Sequence, residues 1–268
     1  MNNKPLKPII SRIGGKSRMA DRIISIMPEH KIYIEPFVGG ASVYFKKPLT
    51  DVNIINDIDD YVINLYKDLK DLDAFDSELT QEDVTKEKFN EYKNKKVFEN
   101  NKQRLFNSLL LNQLSMLGKN THYGVDNIET GYKRIPKFKF LRDNLDAYKT
   151  KLNNTTILNQ DYKSVIQQYD DKDALIYLDP PYSDIKKSWG YKGNPEMQEL
   201  INILINIKGK FIMSYDHSDD IVEEFEKHFN VYEIETKYGT RRSEDRGKKV
   251  KEILITNFEI LNPEELEI

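Results

Sequence analysis

The sequence predicts an α/β fold, a largely parallel sheet with helices on both faces, interrupted by one inserted and mainly helical lobe. Three observations predict it. Short apolar runs bounded by turn residues recur, segments of helical spacing lie between several of them, and the alternation fails over one polar stretch in the middle. At 268 residues the chain has room for one such core with an insertion and little more.

The runs at 32–34, 52–55, 156–158, 174–178, 210–213, 231–234 and 252–256 are too short for helices and rich in Ile, Val, Leu and aromatics, so they read as buried strands. Helical spacing at 19–27, 61–69, 195–207 and 221–229 supplies the crossovers of a parallel sheet. From about 69 to 154 the chain turns polar, carrying one helical pattern at 104–117 and a Gly, Asn and Thr-rich stretch at 118–131. A structureless loop of that length is uncommon inside a compact domain. The expected division is therefore a core of 1–68 and 157–268, with 69–156 as the inserted lobe.

Composition excludes several classes. There is no cysteine, so neither disulfides nor thiolate metal sites exist, and the four histidines lack zinc-site spacing. No metal is expected. No apolar leader follows the N-terminal lysines, and no run approaches the roughly 18 apolar residues that span a bilayer. A soluble protein without a membrane partner is expected, in the cytoplasm or, for a viral protein, the host cytoplasm.

The net charge of -3 hides an uneven distribution. Residues 4–18 carry only positive charges (Lys4, Lys7, Arg12, Lys16, Arg18), while 51–91 is mainly acidic. Over 101–153 ten Lys and Arg face four acids, and a third basic run spans 237–251. Any one run reads as solvated surface. Three, interleaved with Tyr and Phe, fit a face that tracks phosphates.

Three constellations carry chemistry. Asp179-Pro180-Pro181-Tyr182 directly follows the run at 174–178, at the carboxyl end of a strand where open α/β sheets hold ligands. Two prolines remove two donors and stiffen the turn, leaving carbonyls able to accept. Asp179 and the Pro180 carbonyl suit an exocyclic amine, and Tyr182 offers a ring for a base to stack on. A Pro-Pro turn closing a strand explains the tetrapeptide equally well. Glu35-Pro36-Phe37-Val38-Gly39-Gly40 follows the first strand, lacks both G-x-G-x-x-G and a phosphate-loop lysine, and so suits something smaller than a dinucleotide. Asn56-Asp57, about 20 residues on, puts an acid where ribose hydroxyls are bound, or simply makes a turn and cap. Gly14-Gly15-Lys16 precedes a helical pattern, and by itself is a turn leading into a helix.

Taken in order, GGK, EPFVGG, ND and DPPY resemble the Dam-type adenine-N6 DNA methyltransferases of the alpha arrangement, in which a target-recognition lobe separates cofactor and catalytic motifs. The resemblance extends through Asn159 to Tyr162 and the strand at 252–258. It implies an S-adenosylmethionine-dependent methyltransferase sheet of Rossmann-like type, S-adenosyl-L-methionine as cofactor and double-stranded DNA as partner. Carried over, Gly14, Gly15 and Lys16 hold the methionine end, with Arg12 alongside. Glu35, Pro36, Phe37, Gly39 and Gly40 line the cofactor turn, Asp57 takes the ribose, and Asp161 and Tyr162 contact the cofactor's adenine. Asp179, Pro180, Pro181 and Tyr182 hold the target adenine, with Asp179 also beside the cofactor. Asn112, Gln113, Lys119, Asn120, Lys133, Arg134 and Lys137 are the expected DNA contacts.

The chain departs from the family at Asn112-Gln113, where an Asn-Arg pair is usual, and at 116–120, so no target sequence is carried over. It also has Arg12-Ile13 where an aromatic and a small residue are common. Cytosine-N4 methylation, an inactive DNA-binding decoy or regulator, and RNA or small-molecule methylation are the alternatives. Asp rather than Ser before Pro-Pro-Tyr argues against the first, the intact acids against the second, and the basic lobe against the third. Oligomeric state stays open between a monomer and a transient dimer on DNA.

Overall fold

Short apolar runs become strands of three to eight residues in the main sheet, and their flanking amphipathic segments become helices that cover both of its faces. The computed structural model describes residues 5–12, 14–75, 84–115, 118, 120–124, 126–127, 132–133, 138–181, 196–237, 249–261 and 263–266. The core order is α1 (Ala20–Ser25), β1 (Ile32–Glu35), α2 (Ser42–Lys46), β2 (Val52–Asn56) and α3 (Asp60–Lys70). The insertion follows as α4 (Lys86–Asn94), α5 (Asn101–Leu114), a short hairpin of β3 (Asp126–Asn127) and β4 (Tyr132–Lys133), and α6 (Lys139–Asp143). The chain continues with α7 (Leu145–Asn153), β5 (Thr156–Leu158), α8 (Tyr162–Tyr169), β6 (Ala174–Leu178), α9 (Met197–Ile205), β7 (Lys210–Asp216), α10 (Asp219–Glu226), β8 (Asn230–Lys237) and β9 (Lys249–Thr256).

The seven-stranded sheet runs β5-β2-β1-β6-β7-β9-β8, parallel from β5 to β7, with β9 antiparallel to both its neighbours. Central β6 is buried along its whole length, as a strand covered on both faces must be. Its side chains alternate: Leu175 and Tyr177 join one core, and Ala174, Ile176 and Leu178 the other. The first core is built with α1, α2, α3, α5 and α7, the second with α8, α9 and α10. This is the expected α/β architecture, with strands β7, β8 and β9 extending beyond their apolar runs.

Polar side chains fix where helices begin. Asp59 caps α3 by accepting from the Tyr61 amide at 3.2 Å, Asn100 caps α5 from Gln103 at 2.9 Å, and Asp161 caps α8 from Lys163 at 2.9 Å. The insertion shares the first core: Leu105, Leu109, Leu110 and Leu114 of α5 are buried there, and Arg104 grips buried Asp68 of α3 through two bonds at 2.5 and 2.7 Å. Helix α7 lies within the span expected for the lobe, yet it packs on α3 and β5. Its Lys151 ammonium donates to the carbonyls of Phe45 and Lys47, where α2 ends.

Candidate active site

The chain leaves β1 for β2 in one direction and β6 for β7 in the other, so the loops after β1 and β6 part and leave a crevice between them. It holds a cavity of about 850 Å³, counting space open to solvent. Into it come the Gly14–Lys16 turn, the turn after β1, Asp57 after β2, and Asp179 to Pro181 after β6.

Asp179 is held from two elements. Its Oδ1 lies 2.7 Å from the Lys16 ammonium and accepts from the Ser214 hydroxyl of β7 at 3.1 Å. Tyr177 continues the chain, its hydroxyl 3.0 Å from that of Ser214. Lys16 also donates to the Gly14 carbonyl at 2.8 Å and stands 3.8 Å from Glu252 of β9. Burial disfavours the Lys16 ammonium, but the Asp179 and Glu252 carboxylates outweigh it and hold the pKa above that of ordinary lysine. Burial raises the Asp179 carboxyl, with Lys16 and Ser214 opposing the rise. The geometry places a Lys16–Asp179 ion pair at the centre of the site.

Glu35, at the end of β1, is buried and accepts from the Tyr33 hydroxyl at 2.7 Å. Burial pushes its carboxyl up to about 8, with Tyr33 opposing and Asp179 reinforcing. The following turn needs left-handed backbone at Gly39 (φ 44°) and Ala41 (φ 56°), and Gly39 takes it at no steric cost. The Gly39 amide donates to Asp57 at 2.9 Å, so the loop after β1 is tied to the end of β2. Asn56 completes the fastening. Its side chain donates to the carbonyls of Pro36 (2.9 Å) and Gln160 (3.0 Å) and accepts from the Gln160 amide (2.9 Å), which joins the loops after β1, β2 and β5. At the cavity rim Arg12 pairs with Asp59 at 2.6 Å.

Of the expected cofactor residues, Arg12, Gly14, Gly15, Lys16, Glu35, Phe37, Gly39, Gly40, Asp57 and Asp179 line this one cavity, as do Pro180 and Pro181. Three expected positions differ. Pro36 is buried beneath the cavity, its carbonyl taken by Asn56. Asp161 is exposed and caps α8, and Tyr162 reaches the site only through the Phe37 ring, centroids 5.1 Å apart. Tyr182 lies outside the described residues.

Among the expected DNA contacts, Asn112 is turned into the interior. It is buried, accepts from the Ser11 amide at 2.8 Å, and donates to the carbonyls of Ser11 (2.9 Å) and Gly118 (3.0 Å). Those bonds use both of its amide protons, so it has none to offer a base edge. Gln113 is half-buried on α5, and Asn120 bonds the Tyr61 side chain. Lys133 belongs to β4, with its side chain outside the described residues, as are Lys119, Arg134 and Lys137 altogether.

Ser214, Glu252 and Asp59 were not anticipated. Ser214 had a weak signal as a polar residue following an apolar strand, but only strand register carries Glu252 to Lys16.

The family profile described as D12 class N6 adenine-specific DNA methyltransferase matches residues 13–240. The chain belongs to this family. It is 26% identical to the Type II methyltransferase M1.LlaDCHI of Lactococcus lactis subsp. cremoris, covering 96% of this chain and 97% of the relative. It is 26% identical to the Type II methyltransferase M.MjaIII of Methanocaldococcus jannaschii, covering 94% and 99%. With the DNA adenine methylase of Haemophilus influenzae identity is 24%, over 92% of each. An rRNA methylase from Streptococcus thermophilus aligns at TM-score 0.38 and 8% identity over 96% of this chain and 98% of that one.

As a D12 family member the protein is an adenine-N6 DNA methyltransferase with S-adenosylmethionine as methyl donor, and the cytosine and decoy readings are not favoured. The cavity fits that cofactor. Three aspartates (Asp57, Asp59, Asp179) line it against two cations, Arg12 and Lys16, each paired with one of those acids, while burial keeps the Glu35 carboxyl protonated near neutral pH. Such a lining suits a cationic sulfonium and repels a polyphosphate. Among the described residues no group of three or more potential ligands is placed to hold a metal, and no helix is long and apolar enough to cross a membrane.

Proposed function

We propose that this D12 family enzyme methylates N6 of one adenine flipped out of double-stranded DNA. Asp179 accepts one N6 hydrogen and the Pro180 carbonyl the other, which turns the nitrogen lone pair toward the methyl donor. Tyr182 stacks on the target base. At the other end of the cavity Asp57 takes ribose hydroxyls and the Gly14–Lys16 turn receives the methionine end. When bound, S-adenosylmethionine supplies an activated methyl group. Transfer to N6 would leave S-adenosylhomocysteine and one released proton, with Asp179 and the Pro180 carbonyl holding the amine in line with the donor. Because the proton leaves after attack begins, Asp179 serves by alignment and charge, in keeping with a carboxylate clamped by Lys16.

We assign target recognition to the insertion within 69–156, leaving α7 to the sheet, and its basic residues to phosphate contacts. The observation that carries the reading is the paired Asp179 beside two prolines at the end of β6, in the cavity that the turn after β1 and Asp57 also line. The test uses unmethylated duplex DNA and labelled S-adenosylmethionine, followed by nucleoside analysis. N6-methyladenine in one short context is expected, and Asp179→Ala is expected to bind cofactor but not turn over. Methylation by that variant at the parent rate overturns the assignment.

A further inference from the structure

The segment leading into the Gly14–Lys16 turn is fastened at two points, first to α7 and then to the insertion. Tyr148 of α7 first clamps it, its hydroxyl donating to the Lys7 carbonyl at 2.6 Å and lying 3.2 Å from the Lys7 amide. Four residues later Asn112 holds both backbone groups of Ser11, and the same side chain donates to Gly118. Gly118 has φ 69°, and a Cβ there would stand 2.2 Å from the Ser11 carbonyl oxygen and 3.1 Å from the Asn112 amide nitrogen. The next residue after Ser11 is Arg12. Its carbonyl accepts from the Gly15 amide at 3.1 Å, and its guanidinium pairs with Asp59 at the cavity rim. One buried amide thus joins the end of α5, the start of the loop after it, and the backbone that sets the glycine turn under Lys16.

We propose that Asn112 is a positioning residue that couples the insertion to the cofactor end of the cavity. The inference rests on the proposed reading of that cavity, and it assigns Asn112 a different role from a DNA contact. Any displacement of α5 or of the Gly118 turn on DNA moves Ser11, and with it Arg12 and the Gly14–Lys16 turn. By linkage, cofactor and DNA then change each other's affinity by the same factor. A purely structural Asn112 contributes stability without that reciprocity.

The experiment measures the dissociation constant of S-adenosylhomocysteine by calorimetry, with and without unmethylated duplex DNA, for the parent, Asn112→Ala and Gly118→Ala. Melting temperature and amide exchange at Ser11 are followed in the same samples. Asn112→Ala is expected to weaken S-adenosylhomocysteine binding by about tenfold, in line with lost buried hydrogen bonds, and to abolish the effect of DNA on it. Ser11 exchange should speed up. Gly118→Ala, which keeps Asn112 but forces the turn off Ser11, should reproduce the defect, and the double variant should be little worse than either. A folded Asn112→Ala with parent-like affinity and DNA coupling overturns the proposal, as does a fall in melting temperature alone. If Asn112→Ala does not fold, Gly118→Ala decides on the same two readouts. Failure of the parent to methylate adenine would sink the functional reading instead, and the binding measurements separate the two.

Discussion

Replacing Lys16 by methionine tests the centre of the site. The ammonium is 3% exposed and faces two carboxylates, Asp179 at 2.7 Å and Glu252 at 3.8 Å. Removing one partner of a buried pair costs about 3–5 kcal/mol because it strands the other charge. At about 2–4 °C per kcal/mol for a chain somewhat shorter than this one, Lys16→Met should lower the melting temperature by roughly 6–20 °C. The cost should depend on pH in a definite direction. Without the lysine both carboxyls titrate higher in the folded than in the unfolded state, so the folded variant binds more protons and regains stability as pH falls. Urea unfolding at several pH values reads this out, and adding Glu252→Gln should restore part of the loss. Activity should fall about 10²–10³-fold in kcat/KM, the scale seen when one organising group at a reacting centre is lost. A destabilisation below 1 kcal/mol at neutral pH, or one that grows toward acid, refutes the argument.

Two further outcomes follow from the same geometry. Asp57→Asn keeps an acceptor for the Gly39 amide but removes the charge, so S-adenosylhomocysteine binding should weaken by about 10-fold while kcat at saturating cofactor stays within about threefold; equal losses in both would place Asp57 in the chemical step. Glu35 has its pKa raised from 4.5 to about 8, so the folded state holds a proton that the unfolded state releases, and stability falls as pH rises through that window. Glu35→Gln should flatten this part of the stability profile, and an unchanged slope from acid to mildly alkaline pH would exclude Glu35 as its source.

The strands were legible because each contains a short, mainly apolar run, and β5 and β6 begin and end where the residues alone indicate. The cavity lining was legible for a similar reason: Glu35 to Gly40, Asp57 and Asp179 to Pro181 each directly follow a strand, and parallel strands bring their carboxyl ends to one edge. Where Asn112 points was not legible, because a motif records residue type and not direction. On α5 it is turned inward, and only the fold reveals that its hydrogen-bond partners are the backbone of Ser11, 101 positions away. Asp161 and Tyr162 fell short of the cavity because the helix cap at Asp161 and the intervening Phe37 ring claim them locally.

By itself the sequence determined the fold class, the order of the chemical motifs and the chemistry they suit, since hydrophobic period, glycine turns and strand-end acids are local properties of a chain. Tertiary structure decided which charges face each other. Lys16, Asp179, Ser214 and Glu252 come from four separate segments, and no local pattern relates them. Sheet order brings β6, β7 and β9 side by side, and strand register pairs Leu178 with Met213, just before Asp179 and Ser214, and Glu252 with Asp216, two residues beyond Ser214. The interactions that hold Asp179 are therefore a consequence of long-range packing.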